Sequence, residues 1–198
     1  LSSMAGEVEC VDLSAKRSEI NATRNKDRDN ITIHVGNFVD VEPTLADDFD
    51  YIFLIGVFEY AGSYMDSAAP FHDELLRILP HLKKGGRIVI AIENRLGLKY
   101  FAGAREDHTG RYFDGIESYE NSGMSVRTFS RAGLERIFVD CGITDYSFYY
   151  PYPDYKFTSE VYSDGRLPKA SELTDNIRNF DRDRLLLFDE KAAYSGIV

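Results

Sequence analysis

Residues 6–25 read "GEVECVDLSAKRSEINATRN", and the fold turns on how this stretch divides. "VECVDL" (8–13) is a β-branched, apolar run of strand length. "SAKRSEINATRNKDR" (14–28) predicts a helix, with Ser14 as N-cap before Ala15 to Arg24. An acid, Asp12, closes the strand. In nucleotide-binding α/β units a carboxylate at that place accepts hydrogen bonds from both ribose hydroxyls, because each oxygen offers lone pairs to a neutral diol. The same acid can instead cap the N-terminus of the next helix. A ribose acid lies about 20 residues after its glycine-rich phosphate loop, and only "LSSMAGEVECV" precedes Asp12. The first strand and loop are therefore expected upstream of Leu1, which makes this chain a fragment of a longer polypeptide.

Outward from that stretch, the chain alternates strands and helices. "NITIHVGNF" (30–38) reads as a strand ending at Gly36. "FDYIFLIGVFEY" (49–60) is an almost unbroken apolar run, the mark of a strand covered on both faces. "SAAPFHDELLRILPHLKKGG" (67–86) sets Phe71, Leu75, Leu76, Ile78 and Leu79 at helical spacing, with Gly85-Gly86 as its stop. "RIVIAIEN" (87–94) is another buried strand. "SRAGLERIFVDCG" (130–142) is an amphipathic helix, capped by Ser130 and ended by Gly142, and "ITDYSFYYPYP" (143–153) is one more strand. This order predicts an α/β fold, a parallel sheet with helices on both faces. Residues 95–127 are too long for a mere connection and read as a lid or substrate loop. They follow a strand's carboxyl end, where open α/β sheets place their ligands.

Composition narrows the partners. The 198 residues carry a formal charge of −10. The mixed runs "KRSEINATRNKDR" and "NIRNFDRDR" interleave acids with bases, so they read as solvated faces and not as a phosphate track; no nucleic-acid partner is expected. No apolar run is long enough to cross a bilayer. Cys10 and Cys141 form no disulfide framework or metal-ligand spacing. They read as buried small hydrophobes in a reducing, cytoplasmic protein, and no metal site is expected.

These elements resemble the S-adenosylmethionine-dependent methyltransferases of the Rossmann-like class, over roughly Gly6 to Tyr152. The resemblance rests on the acid ending "VECVD", the "VGNF" turn after the next strand, "FDYIFLIGVFEY", and above all "ILPHLKKGGRIVIAIEN". It implies a methyltransferase domain over 1–152 and an extension over 153–198 that continues in a longer parent. The texture of "ENRLGLKYFAGAREDHTGRYFDGIESY" with "PYPDYKFTSEVYSDGRLPK" looks like bacterial methyltransferase domains of glycan-modifying or glycosyltransferase-linked proteins. In this family the glycine loop approaches the cofactor's methionine part, and the first strand runs through the sheet centre. A chain lacking both would leave two strand edges unpaired and is expected to bind cofactor poorly. Partners expected are a small-molecule or glycan substrate, neighbouring domains of the parent, or a second copy.

The resemblance assigns residues. Asp12 would hold the ribose; Asn37 would accept the adenine amino group or simply form a turn beside Gly36. Phe38 would pack on the adenine or fill core. Ile55, Gly56 and Phe58, at the end of the fourth family strand, would line the cofactor, with Gly56 allowing close backbone approach. Glu59 would meet a cofactor amine or substrate, or cap a helix. Asn94, Arg95 and Tyr112 are expected on the substrate side. Methyl transfer is an in-line displacement at a sulfonium carbon, so the protein positions a nucleophile and excludes water. A hydroxyl nucleophile needs a base, and His108 in "EDHTGRY" is the first candidate, with Asp107 beside it and Glu93 second. His34, His72 and His81 read as structural or exposed. The tyrosines of "YSFYYPYPDYKF" either close the core or stack on sugar. The function expected is methyl transfer to an oxygen or nitrogen of a small molecule or glycan, impaired in the fragment. The alternatives are a non-catalytic methyltransferase-like scaffold and a nicotinamide-dependent oxidoreductase.

Overall fold

A computed structural model describes residues 1–101, 103–152, 154–156, 158 and 160–169. Strand β1 (Val8–Asp12) pairs in parallel with β2 (Ile31–Val35), in a register that sets Val8 against Ile31 and Asp12 against Val35. Between them runs helix α1 (Ala15–Arg24), where the Ser14 hydroxyl accepts from the Arg17 amide and relieves an orphan N–H of the first turn. The Gly36 amide donates to the Asp12 carbonyl. The two strand ends therefore finish side by side.

A short helix α2 (Phe38–Val41) follows, capped by Asn37. Strand β3 (Phe49–Ile55) then leads through a tight turn at Phe58–Tyr60 into α3 (Ala61–Tyr64) and α4 (Pro70–Ile78). Strand β4 is Leu82–Ala91 and joins β3 in a second two-stranded sheet. The chain continues through α5 (Leu98–Phe101) and α6 (Arg131–Asp140) to a hairpin of β5 (Tyr149–Tyr152) and β6 (Glu160–Ser163). As expected, α6 is capped by the Ser130 hydroxyl and ends at Gly142, whose φ of +75° suits a glycine.

Four expectations need correction. The single parallel sheet is instead three two-stranded sheets among the described residues. The last aromatic strand does not extend a parallel sheet: β5 pairs antiparallel with β6, which sequence patterning missed because four residues show too little alternation. That hairpin joins residues on both sides of the expected boundary at 152. Strand β3 is not covered on both faces, because Tyr51, Phe53 and Ile55, alternate residues on one side, stay exposed. Finally, Gly85-Gly86 does not stop the helix. Pro80 lies in the turn Leu79–His81 that follows α4, and both glycines lie inside β4. Gly85 sits at φ +84°, and a Cβ on Gly86 would meet the Phe49 carbonyl at 2.9 Å, so this strand start needs both.

The described chain divides into two compact units. The first comprises Leu1–Ile52 with Tyr64–Ile88; the second comprises Phe53–Ser63 with the described residues from Val89 onward. No helix among the described residues is long and apolar enough to cross a membrane.

Candidate functional site

In the first unit the residues of interest lie at the carboxyl ends of β1 and β2. Asp12 is a third exposed, and its carboxylate accepts from Arg17 Nε at 2.8 and 3.1 Å, from Arg17 Nη2 at 2.8 Å and from the Ser14 amide at 2.7 Å. The Arg17 bond first, and then the Ser14 amide, hold the carboxyl below its usual range against a smaller opposing effect of burial. Arg17 is 70% exposed, so this pair contributes at most about 1 kcal/mol. Asn37 accepts from the Val39 amide and donates to the Tyr64 carbonyl, both at 3.4 Å, the long limit of hydrogen bonding. It lines a cavity of ≈ 550 Å³ with Val39, Tyr64, Met65, Asp66 and Leu76. Phe38 opens α2 half-buried.

The second unit carries a buried polar cluster. Gly56, at φ +63°, ties the end of β3 to β4 by donating to the Ala91 carbonyl at 2.8 Å. A side chain there would meet the Tyr155 hydroxyl at 3.0 Å. Just beyond those strand ends stand Glu59 and Glu93, 2% and 5% exposed. The 95–127 segment folds over on itself and delivers His108, whose side chain is 4% exposed. The three donor atoms lie within 4.8 Å of one another. Thus the structure brings together Glu93 and His108, the two residues that sequence reasoning proposed for proton transfer.

Glu106 fixes the imidazole. One of its oxygens meets His108 Nδ1 at 3.0 Å and accepts from the Tyr119 hydroxyl at 3.1 Å; the other accepts the backbone amides of His108 and Thr109, each at 2.7 Å. Burial pushes this carboxyl up, yet these bonds outweigh it and hold Glu106 down at about 2. Burial likewise pushes His108 down, but Glu106, Glu59 at an ion-pair distance of 3.7 Å and the Glu93 charge raise it to about 9. At neutral pH the ring is therefore protonated on both nitrogens. In that state the ring donates hydrogen bonds from both nitrogens.

A second layer surrounds these groups. Lys99 Nζ bonds Asp107 at 2.7 Å and lies 3.7 Å from Asp154; the Tyr100 hydroxyl also donates to Asp107 at 2.6 Å. Lys156 donates to one oxygen of Glu93. Among the described residues the other oxygens of Glu59 and Glu93 have no hydrogen-bond partner, although both are buried. Such groups are costly to leave unpaired, by about 1–3 kcal/mol each or more for a charge. Phe113, Ser118 and Tyr119 stand at φ of 61–63° in the same segment. Non-glycine residues in that region are uncommon and cluster where a fold tolerates strain for a purpose.

Other assignments fall differently. Phe58 is fully buried, its ring centre 6.0 Å from that of Phe129. Ile55 is half-exposed. Asn94 accepts the Leu96 amide and shapes the turn after β4, while Arg95 bonds the Ser118 hydroxyl at 2.6 Å. Tyr112 lies on the surface beneath the Arg105 guanidinium, 4.6 Å from its ring centre. The remaining histidines make polar pairs: His34 with Glu9, His72 with Asp73, and His81 with Glu42 and the Ala46 carbonyl. Sequence reasoning missed Glu106, Lys99 and Lys156. Charged residues set in aromatic runs, as in "LKYF" and "PDYKF", are the signal that could have flagged the two lysines.

Residues 1–90 match the family model of a methyltransferase domain. That span contains β1, β2, β3 and most of β4, and the match supports a methyltransferase-like α/β fold there. The chain is also similar to the crystal structure of the YcgJ protein from Bacillus subtilis, at 18% identity and a TM-score of 0.46, covering 76% of this chain and 60% of that one. No curated protein matches the sequence.

Proposed function

We propose that this protein is part of an S-adenosylmethionine-dependent methyltransferase acting on an oxygen or nitrogen of a small molecule or glycan. One observation carries the reading: within the stretch that matches a methyltransferase domain, Asp12 ends β1, Asn37 stands two residues past the end of its parallel neighbour β2, and Asn37 borders a ligand-sized cavity. The residues fit an adenosyl group. Asp12 would accept the ribose hydroxyls, since a solvent-exposed arginine held for at most about 1 kcal/mol is easily displaced. Asn37 would accept the adenine amino group in place of two 3.4 Å bonds. Three carboxylates, Asp40, Asp66 and Asp73, face one guanidinium, Arg77, around this cavity, which disfavours a phosphorylated ligand.

When bound, S-adenosylmethionine supplies an electrophilic methyl group on a sulfonium. In the second unit Glu93 keeps one oxygen without a hydrogen-bond partner among the described residues, the chemistry a proton acceptor needs. His108, held protonated by Glu106, positions the neighbouring carboxylates electrostatically. The sequence has no pair of glycines separated by one residue, so no Gly-x-Gly loop for the methionine part occurs in it. Affinity of this chain alone is therefore expected to be weaker than micromolar. Cytoplasmic location and a bacterial glycan-linked parent remain part of this same reading, supported by residue texture alone.

Calorimetric titration with S-adenosylmethionine tests it. The expected result is saturable binding that Asp12→Ala weakens about tenfold or more, the loss of charged hydrogen bonds. Absence of saturation up to millimolar ligand, or equal affinity in the variant, would overturn the reading.

A further inference from the structure

We infer that Glu59, Glu93 and His108 form a binding site for one divalent transition-metal ion of the manganese or zinc type. Carboxylate oxygens with an imidazole nitrogen are the donor set such ions take. A bond of about 2.1 Å sets neighbouring donors roughly 3.0–3.4 Å apart in octahedral or tetrahedral geometry. His108 Nε2 and Glu59 Oε1 already lie 3.7 Å apart, and all three donors fall within 4.8 Å. Closing on an ion needs shifts of some tenths of an ångström at the nearer pair.

Independent observations point to a ligand. Both glutamates are more than nine-tenths buried, and each keeps one oxygen with no hydrogen-bond partner among the described residues. The neighbouring cations are committed elsewhere: Lys99 to Asp107 and Asp154, Lys156 to the other oxygen of Glu93. Glu59 Oε1 faces the His108 ring at 3.7 Å, and among the described residues its Oε2 has no hydrogen-bond partner. The imidazole is also oriented as metal-binding histidines are. Its Nδ1 donates to Glu106, itself anchored by two backbone amides and Tyr119, which directs Nε2 toward the glutamates. An incoming ion replaces the Nε2 proton, which leaves to solvent, and accepts one lone pair from each donor.

The site does not depend on the methyltransferase reading, because it rests on a different unit and is tested without S-adenosylmethionine.

The test uses the full chain, stripped of metal by chelator, titrated calorimetrically with manganese chloride and separately with zinc chloride. One ion per chain is expected, and electron–nuclear double resonance of the manganese form should show coupling to one imidazole nitrogen. Glu59→Gln should weaken binding at least tenfold with the thermal melt retained. Lys156→Met, which releases an oxygen of Glu93, should tighten it. No saturable binding below about 1 mM, a manganese form without nitrogen coupling, or a folded Glu59→Gln variant of unchanged affinity would overturn the inference. So would binding of methylammonium with no response to either metal. The spectroscopic readout stands on the native chain, so it decides the question even if a variant fails to fold.

Discussion

The two units treat charge in opposite ways. In the first, the ion pair at the end of β1 joins Asp12 to an arginine five residues on, in water. In the second, Glu59, Glu93, Glu106 and His108 are withdrawn from solvent and drawn from distant segments. An exposed pair can form and break with little consequence. A buried one must be fully satisfied or kept for a ligand, because an orphaned charge in low dielectric is expensive. The first unit therefore offers a surface that a cofactor can take over cheaply. The second holds a buried polar cluster in which, among the described residues, one oxygen each of Glu59 and Glu93 has no hydrogen-bond partner.

Mutations separate the two most sharply at the carboxylates. Glu106→Ala removes partners from the His108 ring and amide, the Thr109 amide and the Tyr119 hydroxyl, and leaves the buried imidazolium with the longer 3.7 Å contact to Glu59. It should cost about 3–5 kcal/mol by chemical denaturation. Asp12→Ala should cost less than about 1 kcal/mol in the same assay. Equal costs would break the contrast.

Backbone packing gives the next largest difference. A Cβ on Gly62, in the second unit, would lie 2.5 Å from the Ser125 carbonyl oxygen, so Gly62→Ala should destabilise by about 1–3 kcal/mol. Gly6 in the first unit has nothing within 4 Å. Gly6→Ala should shift stability by no more than about 0.5 kcal/mol, and thermal melts compare the two.

A smaller, pH-dependent effect belongs to the first unit. His81 is pushed down by burial but held above its usual value by Glu42 and the Ala46 carbonyl; Glu42, raised by burial, is held below its usual range by His81 and Arg77. The histidine's contribution is complete below its unfolded pKa near 6.5 and is lost as pH rises through its higher folded value. The glutamate's is complete above about 4.5 and is lost as pH falls through its lower folded value. Stability from this pair should peak between those two unfolded values, roughly pH 4.5–6.5. His81→Gln should flatten the decline above that window, measured as melting temperature against pH.

Legibility in the sequence follows the same division. The first unit's features are local: Ser14 caps α1, Asp12 ends β1 and Asn37 starts a turn, all within a few residues of their partners. Such contacts are what propensity and spacing encode. The second unit's cluster comes from positions 59, 93 and 106–108, and no period links them. Glu93 and His108 were still visible as a strand-end acid and a lid histidine. Which neighbouring acid serves the ring was not, because adjacent loop residues point apart. Asp107 looked like the partner, but Glu106 holds the imidazole while Asp107 holds Lys99 and Tyr100. The split of the expected sheet was equally hidden, since strand patterns do not encode which edges pair.

The most direct test is a crystal structure of the chain soaked with S-adenosylhomocysteine. This account predicts both ribose hydroxyls within hydrogen-bonding distance of Asp12, with the Arg17 side chain swung away and the adenine beside Asn37. Ligand bound elsewhere while the Asp12–Arg17 pair stays intact would contradict it.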